Sequence, residues 1–225
     1  MKNILILGTS HIAQQSIDQI QKTIEQEKPD IIAIELDAKR FQALLSNQKN
    51  KISLRDIRRI GLKGYLFALI GSYLQKKLGQ SVGVAPGSEM LKAIKLARKN
   101  RIPLALIDQD IEITLKRFSQ KLTWKERFRF VSDLVKGFLF RKKTLKKFEG
   151  LDLTKVPSEE LIIKLIGEVK NRYPNVYQVL VHERNLVMIK NLKFLLKQNP
   201  EKKILVIVGA GHQKSLEKAF KNKKI

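Results

Sequence analysis

Four short runs of aliphatic residues constrain the fold of this chain more than any other feature. They cover residues 3–7, 31–35, 104–107 and 204–208, and each is rich in Ile, Leu or Val. Apolar runs of this length without polar alternation are typical of strands that are buried on both faces. We therefore expect these four segments to form one central, mainly parallel sheet.

Helical patterns connect these runs in the way that parallel strands require. Residues 12–28 repeat apolar residues at helical spacing and stop at Pro29, just before the second run. A second helical pattern covers residues 88–100, just before the third run. This alternation predicts an α/β fold in which helices flank the sheet.

The long stretch before the last run has a different pattern. Between about residues 111 and 200 the apolar spacing is helical, and the sequence contains no convincing strand pattern there. A chain of 225 residues can bury one sizeable core. The sequence thus predicts a single domain, residues 1–225, with a large helical insertion at about 111–200 before the final strand.

Composition limits the partners and the setting of the chain. The 45 Lys and Arg residues against 21 Asp and Glu residues give a net charge of +24, which favours an anionic partner. The absence of cysteine excludes disulfides and thiolate metal sites. The chain starts without a signal-peptide pattern, and its longest apolar stretch, 65–74, has about half the length of a membrane-spanning helix. We expect a cytoplasmic protein and leave association with a membrane surface open.

The clearest chemical signal is a strand ending that occurs twice. The first run continues into GTSH at 8–11 and the last into GAGH at 209–212, which together use two of the three histidines. Ligands of open α/β sheets bind beyond the carboxyl ends of the strands. If the two strands lie close together, His11 and His212 meet at one edge, where they could hold a metal ion or act as general bases.

Carboxylates follow the other two runs and would reach the same edge. Glu35 ends the second run and Asp37 follows it, while Asp108 and Asp110 come after the third. Acidic residues after strands also cap turns and helices, so Asp37 and Asp110 have a structural alternative.

Three more charged residues stand out in helical patterns. In the pattern at 175–198, an apolar stripe runs through Val176, Val179, Leu180, Leu186 and Val187. Glu183 falls within this stripe and Arg184 lies at its border, whereas His182 faces another side. A carboxylate that faces a core must be paired or bound, so this pair either serves a site or holds the insertion to the core. Glu89 begins a helix, where it either complements the helix dipole or lines a substrate site.

The segment 116–147 is basic and aromatic, with twelve Lys and Arg residues against two acids. Its Phe and Trp residues either enter an anionic membrane surface, stack on bases, or bury one face of a helix. We rank nucleic acid last, because it leaves the strand-end histidines unexplained. Arg117, soon after the third run, is placed to reach the crevice at the sheet edge.

These motifs, in this order, resemble the TraB/PrgY family within the wider TraB–GumN–TIKI group. The match rests on GTSHIAQQS at 8–16, KPDIIAIELDAKRFQALL at 28–45, GVAPGSEMLKAIKLA at 83–97, LIDQDIEITLKRF at 106–118, ERN at 183–185 and VIVGAGH at 206–212. Two positions depart from the family pattern, because Gln109 and Asn185 stand where the family usually has Arg and Asp.

The resemblance implies a metal-dependent hydrolase or protease that acts on peptides or small proteins, with a fold similar to that of erythromycin esterases and ChaN-like proteins. PrgY-like members are linked to the inactivation of peptide pheromones, and many members carry C-terminal membrane helices. The metal would be Mn, Co, Fe or Zn. Carried over by position, the candidate catalytic residues are Glu35, Glu89, Glu183, Arg117 and Arg184, and the candidate metal ligands are His11, His212, Glu35 and Glu183.

Two alternatives remain open beside the metal-dependent hydrolase. In one, His11 is oriented by Glu35 and activates water without a metal ion. In the other, the protein sequesters a peptide without turnover. The sequence also leaves the oligomeric state open, including a homodimer.

Overall fold

The computed structural model describes residues 3–9, 14–46, 57–59, 61, 65, 69, 87–139 and 159–221. His11 and the end of the basic segment, 140–147, lie outside the described residues. The described part is a four-stranded sheet with helices on both faces.

The four predicted runs are the four strands of the sheet. They are β1 (Ile4–Thr9), β2 (Ile31–Ile34), β3 (Leu104–Leu106) and β4 (Ile204–Gly209). Their order in the sheet is β1-β4-β2-β3, and every neighbouring pair is parallel. All residues of β2 and β4 are buried, which explains their unbroken apolar sequence. The predicted parallel α/β fold is confirmed.

Helices account for the remaining described elements. They are α1 (Gln14–Glu27), α2 (Ala38–Ser46), α3 (Ser88–Lys99), α4 (Ile111–Lys121), α5 (Trp124–Leu139), α6 (Glu159–Arg172), α7 (Pro174–Tyr177), α8 (Glu183–Gln198) and α9 (Ala210–Lys221), with a π-helical turn at Gln178–His182. Within 111–139 and 159–198 the described elements are all helical, as predicted for the insertion. None of the described helices is long and apolar enough to cross a bilayer.

The sheet separates two apolar clusters because successive strand residues face opposite sides. Ile32, Ile34, Leu205 and Ile207 pack with residues of α1 and α3 on one side. Ile31, Ala33, Ile204, Val206 and Val208 pack with residues of α8 and α9 on the other. The last helix of the insertion therefore covers one face of the sheet, and its N-terminal end is free to supply side chains to the sheet edge.

The π-helical turn corrects the apolar stripe predicted for residues 175–198. Val179 is buried as predicted, but Leu186 is 55% exposed. A π-helical turn holds more residues than an α-helical turn and shifts the phase of everything after it. The buried residues of α8 are accordingly Asn185, Met188 and Leu192. The stripe prediction was wrong from Leu186 onward because it counted 3.6 residues per turn throughout.

The aromatic residues of the basic segment do not share one environment. Phe118 is buried, whereas Trp124 and Phe128 are 69% and 71% exposed. The Arg127 guanidinium stacks over the Trp124 ring, 4.3 Å from its centroid. Among the described aromatic residues, burial of a helix face thus explains Phe118 but not Trp124 or Phe128, and binding to an anionic surface stays a prediction.

Glu126 joins the starts of two insertion helices. Its carboxylate accepts hydrogen bonds from the Thr123 backbone N (3.2 Å), and from the backbone N and Nδ2 of Asn175 (2.8 and 3.0 Å). The Thr-x-x-Glu spacing is a capping box at the start of α5. Burial opposes ionisation of this carboxyl, but the hydrogen bonds from Asn175 and Thr123 outweigh it and hold the pKa of Glu126 below 4.5.

We expect Glu126→Gln to lower the free energy of unfolding by about 1–3 kcal/mol at neutral pH, because an amide cannot accept all of these bonds. A carboxyl whose pKa is lowered in the folded state stabilises the fold at pH values above its ordinary pKa. This contribution is lost as the pH falls through the lowered pKa. The difference from wild type should therefore shrink as the solution is acidified and the Glu126 carboxyl becomes protonated. Urea denaturation of both proteins measures it, with Glu160→Gln at an exposed position of α6 as the control. An equal effect of the two substitutions would contradict the role of Glu126.

Candidate active site at the carboxyl edge of the sheet

The two strands that precede the Gly-x-x-His histidines lie side by side in the sheet. β1 and β4 are parallel neighbours, and Thr9 lies opposite Gly209 in their register. This adjacency was the condition on which the sequence prediction depended, and it is confirmed. His212, in the first turn of α9, is buried at 7% exposure, while the side chain of His11 lies outside the described residues.

Arg184, at the start of α8, is the centre of the hydrogen-bond network at this edge. Its Nε donates to Asp108 Oδ1 (3.1 Å), and its Nη2 donates to Asp108 Oδ2 (2.6 Å) and to Glu35 Oε1. Its Nη1 lies 3.2 Å from the Leu180 carbonyl oxygen and 3.2 Å from His212 Nε2. A guanidinium has five N–H donors, and these five contacts engage all of them. Arg184 has therefore no donor left for a substrate.

The charge of Arg184 is fixed by its acidic partners. Burial alone would lower the pKa of this guanidinium, but the charges and hydrogen bonds of Glu35 and Asp108 raise it above the ordinary value. The edge of the sheet thus carries a permanent positive charge between two buried carboxylates.

The hydrogen bonds of Glu35 and His212 follow from that charge. Glu35 Oε2 accepts from the Gly209 backbone N (2.6 Å), which ties the carboxylate to the end of β4. Because a guanidinium only donates, Nε2 of His212 is the acceptor toward Arg184. Nδ1 then carries the proton and donates it to Asn185 Oδ1 at 2.6 Å. The network therefore fixes both the position and the tautomer of His212.

Arg40 of α2 extends the network to a second guanidinium, which the sequence analysis missed. It donates through Nε to Asp37 Oδ2 (2.5 Å) and through Nη2 to Asp108, so that Asp108 binds two arginines. A sequence signal was available, because Arg40 lies in the first turn of a helix, where the dipole disfavours a cation unless it is paired.

Asp37 and Asp110 serve as helix caps. Asp37 Oδ1 accepts from the backbone N of Lys39 and of Arg40, at 2.9 and 3.0 Å. Asp110 is the N-cap of α4 and accepts from the Glu112 backbone N at 2.7 Å. Both residues thus have the structural role, as caps, that the sequence analysis gave as the alternative to a functional role.

Glu183 is not part of the network around Arg184. It forms a bidentate pair with Arg117, with Nε–Oε2 and Nη2–Oε1 distances of 3.0 and 2.5 Å. The hydrogen bonds from Arg117 lower the pKa of Glu183. The Arg117 side chain is 42% exposed, and within the described structure its Nη1 group makes no hydrogen bond. The insertion therefore presents one arginine with an unused donor edge.

Glu89 and His182 occupy opposite environments. Glu89 is 1% exposed in the first turn of α3, where a carboxylate complements the helix dipole. None of the hydrogen bonds of Arg184 joins it to Glu89. His182 is exposed, as the sequence pattern predicted.

The described members of the predicted metal set do not fit a metal ion as they lie. His212 Nε2 and Glu35 Oε1 both face the Arg184 guanidinium, and Glu183 is paired with Arg117. A divalent cation bound to these atoms would contact a permanent positive charge. Among the residues that the structure describes, no group of three His, Asp or Glu side chains could hold a metal. The metal site stays a prediction that depends on His11.

We expect Arg184→Ala to lower the free energy of unfolding by about 3–5 kcal/mol, because it leaves the buried carboxylates of Glu35 and Asp108 without this counter-charge. Arg184→Lys should restore little of it, since one ammonium cannot replace a planar five-donor fork. Arg117→Ala is the matched control and should cost about 1 kcal/mol or less, because its ion pair is half exposed. Chemical denaturation tests this, and equal losses for Arg184→Ala and Arg117→Ala would refute the central role of Arg184.

Comparison with known proteins gives several similar chains. An uncharacterized protein of Methanocaldococcus jannaschii is 36% identical over 221 residues, which cover 97% of this chain and 53% of that protein. The TraB domain-containing proteins of Homo sapiens and Bos taurus are each 24% identical and cover 96% of this chain and 62% of their own length. This chain thus spans about half to three-fifths of the length of these curated relatives.

Among solved structures, an erythromycin esterase in its open conformation is 13% identical, with a TM-score of 0.34 and coverage of 92% of this chain and 60% of that one. The model of the TraB/PrgY/gumN family matches residues 1–220. The order of motifs along the sequence, the strand-end geometry and this match agree, and the chain belongs to the TraB/PrgY/gumN family.

Proposed function

We propose that this chain is a hydrolase that cleaves peptides at the carboxyl edge of its sheet, with water activated by a histidine. The observation that carries the proposal is the convergence of Glu35, Asp108 and His212 on the buried guanidinium of Arg184. Burying a network of charged groups costs free energy. Buried ionisable groups with shifted pKa values at the carboxyl edge of a sheet are characteristic of enzyme sites.

We propose positioning roles for two of the candidate residues, Arg184 and His212. Arg184 uses all five donors and His212 uses both ring nitrogens within the protein. In this proposal they hold Glu35 and the start of α9 in place and do not contact the reacting atoms. His11, the histidine of the neighbouring motif, is the general base, and Glu35 is the carboxylate that orients it.

Peptide hydrolysis then needs two proton transfers and one stabilised oxyanion. His11 takes a proton from water, and the hydroxide attacks the scissile carbonyl carbon. Arg117, whose Nη1 makes no hydrogen bond to any of the described residues, donates to the resulting oxyanion. The C–N bond breaks as the protonated imidazole returns the proton to the leaving amine. No step uses a metal ion, because the described candidate ligands face a guanidinium.

The test is cleavage of a mixture of short unstructured peptides by untagged protein, with products identified by mass spectrometry. We expect cleavage to persist after exhaustive chelation. His11→Ala should lower the rate about 10²–10⁴-fold, and Arg117→Ala about 10²-fold, through loss of the base and of the oxyanion donor. His182→Ala and Arg98→Ala, both at exposed positions, are the matched controls and should leave the rate unchanged.

Two results would contradict parts of this proposal. Activity that disappears on chelation and returns with Mn or Co would restore the metal-dependent mechanism. Full activity of His11→Ala would remove the base.

A peptide-sequestering protein is the second candidate, because the side-chain donors of Arg184 and both ring nitrogens of His212 are already engaged. Sequestration predicts stoichiometric capture of peptide with no cleaved product, even with metal supplied. Mass spectrometry of peptides recovered from the complex separates it from the hydrolase.

A further inference from the structure

We infer that a cavity beside the Arg184 network binds an apolar side chain of a peptide. This inference deepens the proposed function and rests on it for the nature of the ligand. The cavity has a volume of about 350 Å³ and lies between α6, the π-helical turn and the start of α9. That volume is at the small end of the range for ligand pockets, roughly 300–1,000 Å³. It suits one or two amino-acid side chains better than a large cofactor.

The cavity is lined by apolar side chains of α6, α7 and the π-helical turn, and by polar side chains of α9. Ile162 and Ile166 of α6, Tyr177 and Val181 form the apolar part, while α9 contributes the polar groups of Gln213, Lys214, Ser215 and Glu217. Ligand sites that are mainly apolar with a few placed polar groups bind apolar side chains attached to a polar backbone. A leucine or phenylalanine side chain of a peptide has this chemistry.

Two lining residues connect the cavity to the network. Gly211 directly precedes His212, and Val181 directly follows Leu180, whose carbonyl oxygen accepts from Arg184. Consecutive Cα atoms are about 3.8 Å apart. A side chain bound in this cavity would therefore contact residues that directly adjoin the Arg184 network along the chain.

Gly211 supports the inference independently, because neither a positive φ nor a close contact requires a glycine at this position. A Cβ atom at Gly211 would lie 3.6 Å from Ile166 Cδ1, an ordinary contact distance, and the residue lacks the positive φ that Gly87 shows at +82°. Within the first turn of α9, alanine would favour the helix by up to about 1 kcal/mol. The missing side chain leaves open the space that forms the cavity.

The experiment compares Gly211→Val with Gly167→Val. Gly167 lies in α6 and its added Cβ would meet nothing within 4 Å, so it controls for the same change in a helix. The probes are blocked pentapeptides of alanine with Leu, Phe, Ala or Asp at the central position, and saturation-transfer NMR measures binding. Gly211→Ala, a smaller change, serves if Gly211→Val unfolds, and circular dichroism monitors folding.

For wild type and Gly167→Val we expect the Leu and Phe peptides to bind roughly tenfold more tightly than the Ala and Asp peptides, from burial of the added carbons. Gly211→Val should abolish this preference, and Gly211→Ala should reduce it. An unchanged preference in folded Gly211→Val, or no binding of any peptide to wild type, overturns the inference.

The binding assay also separates this inference from the proposed function, since it does not require turnover. A Leu preference that Gly211→Val abolishes, without any cleaved product, supports the cavity and refutes the hydrolase. Cleavage without a preference for the central residue supports the hydrolase and refutes the cavity.

Discussion

The buried guanidinium of Arg184 is the interaction on which the rest of this structure depends. Arg184 belongs to the helical insertion, but four of its five contacts are with residues that follow β2 and β3 or lie in α9. One side chain thus fastens the insertion to the sheet at the edge where the candidate catalytic groups gather. The sequence analysis treated a structural ion pair and a functional site as alternatives for this region, and in the structure the same contacts provide the support for the candidate site.

Much of the fold and part of the site could be predicted because they depend on the backbone. Apolar runs fix the strands, and parallel strands bring their carboxyl ends to one edge, so Glu35 and His212 meet as predicted. Glu183 is different, because its environment depends on the phase of a helix. The π-helical turn before it shifts that phase, and no count at 3.6 residues per turn reveals such a turn.

Long-range ion pairing was the least predictable part of the site. Asp108 binds Arg40 and Arg184, which are separated from it by 68 and 76 residues along the chain. In a chain with a net charge of +24, many basic residues could pair with Asp108. Which of them do so depends on which side chains reach it in the folded state. Asn185, which looked only like a departure from the family pattern, accepts a hydrogen bond from His212 Nδ1 through its amide oxygen. It orients the imidazole without adding a negative charge beside two buried carboxylates.

The position of β4 has a consequence for the way in which the protein is made. This strand comes last among the four in the chain, but it lies inside the sheet, between β1 and β2. During translation, β1 and β2 emerge early and have no central partner until the ribosome has passed Gly209. β2 and β3 can pair before then, but β1 cannot join them until β4 is available to lie between β1 and β2. Nascent chains of this protein should accordingly depend on chaperones that shield unpaired strands until β4 is released.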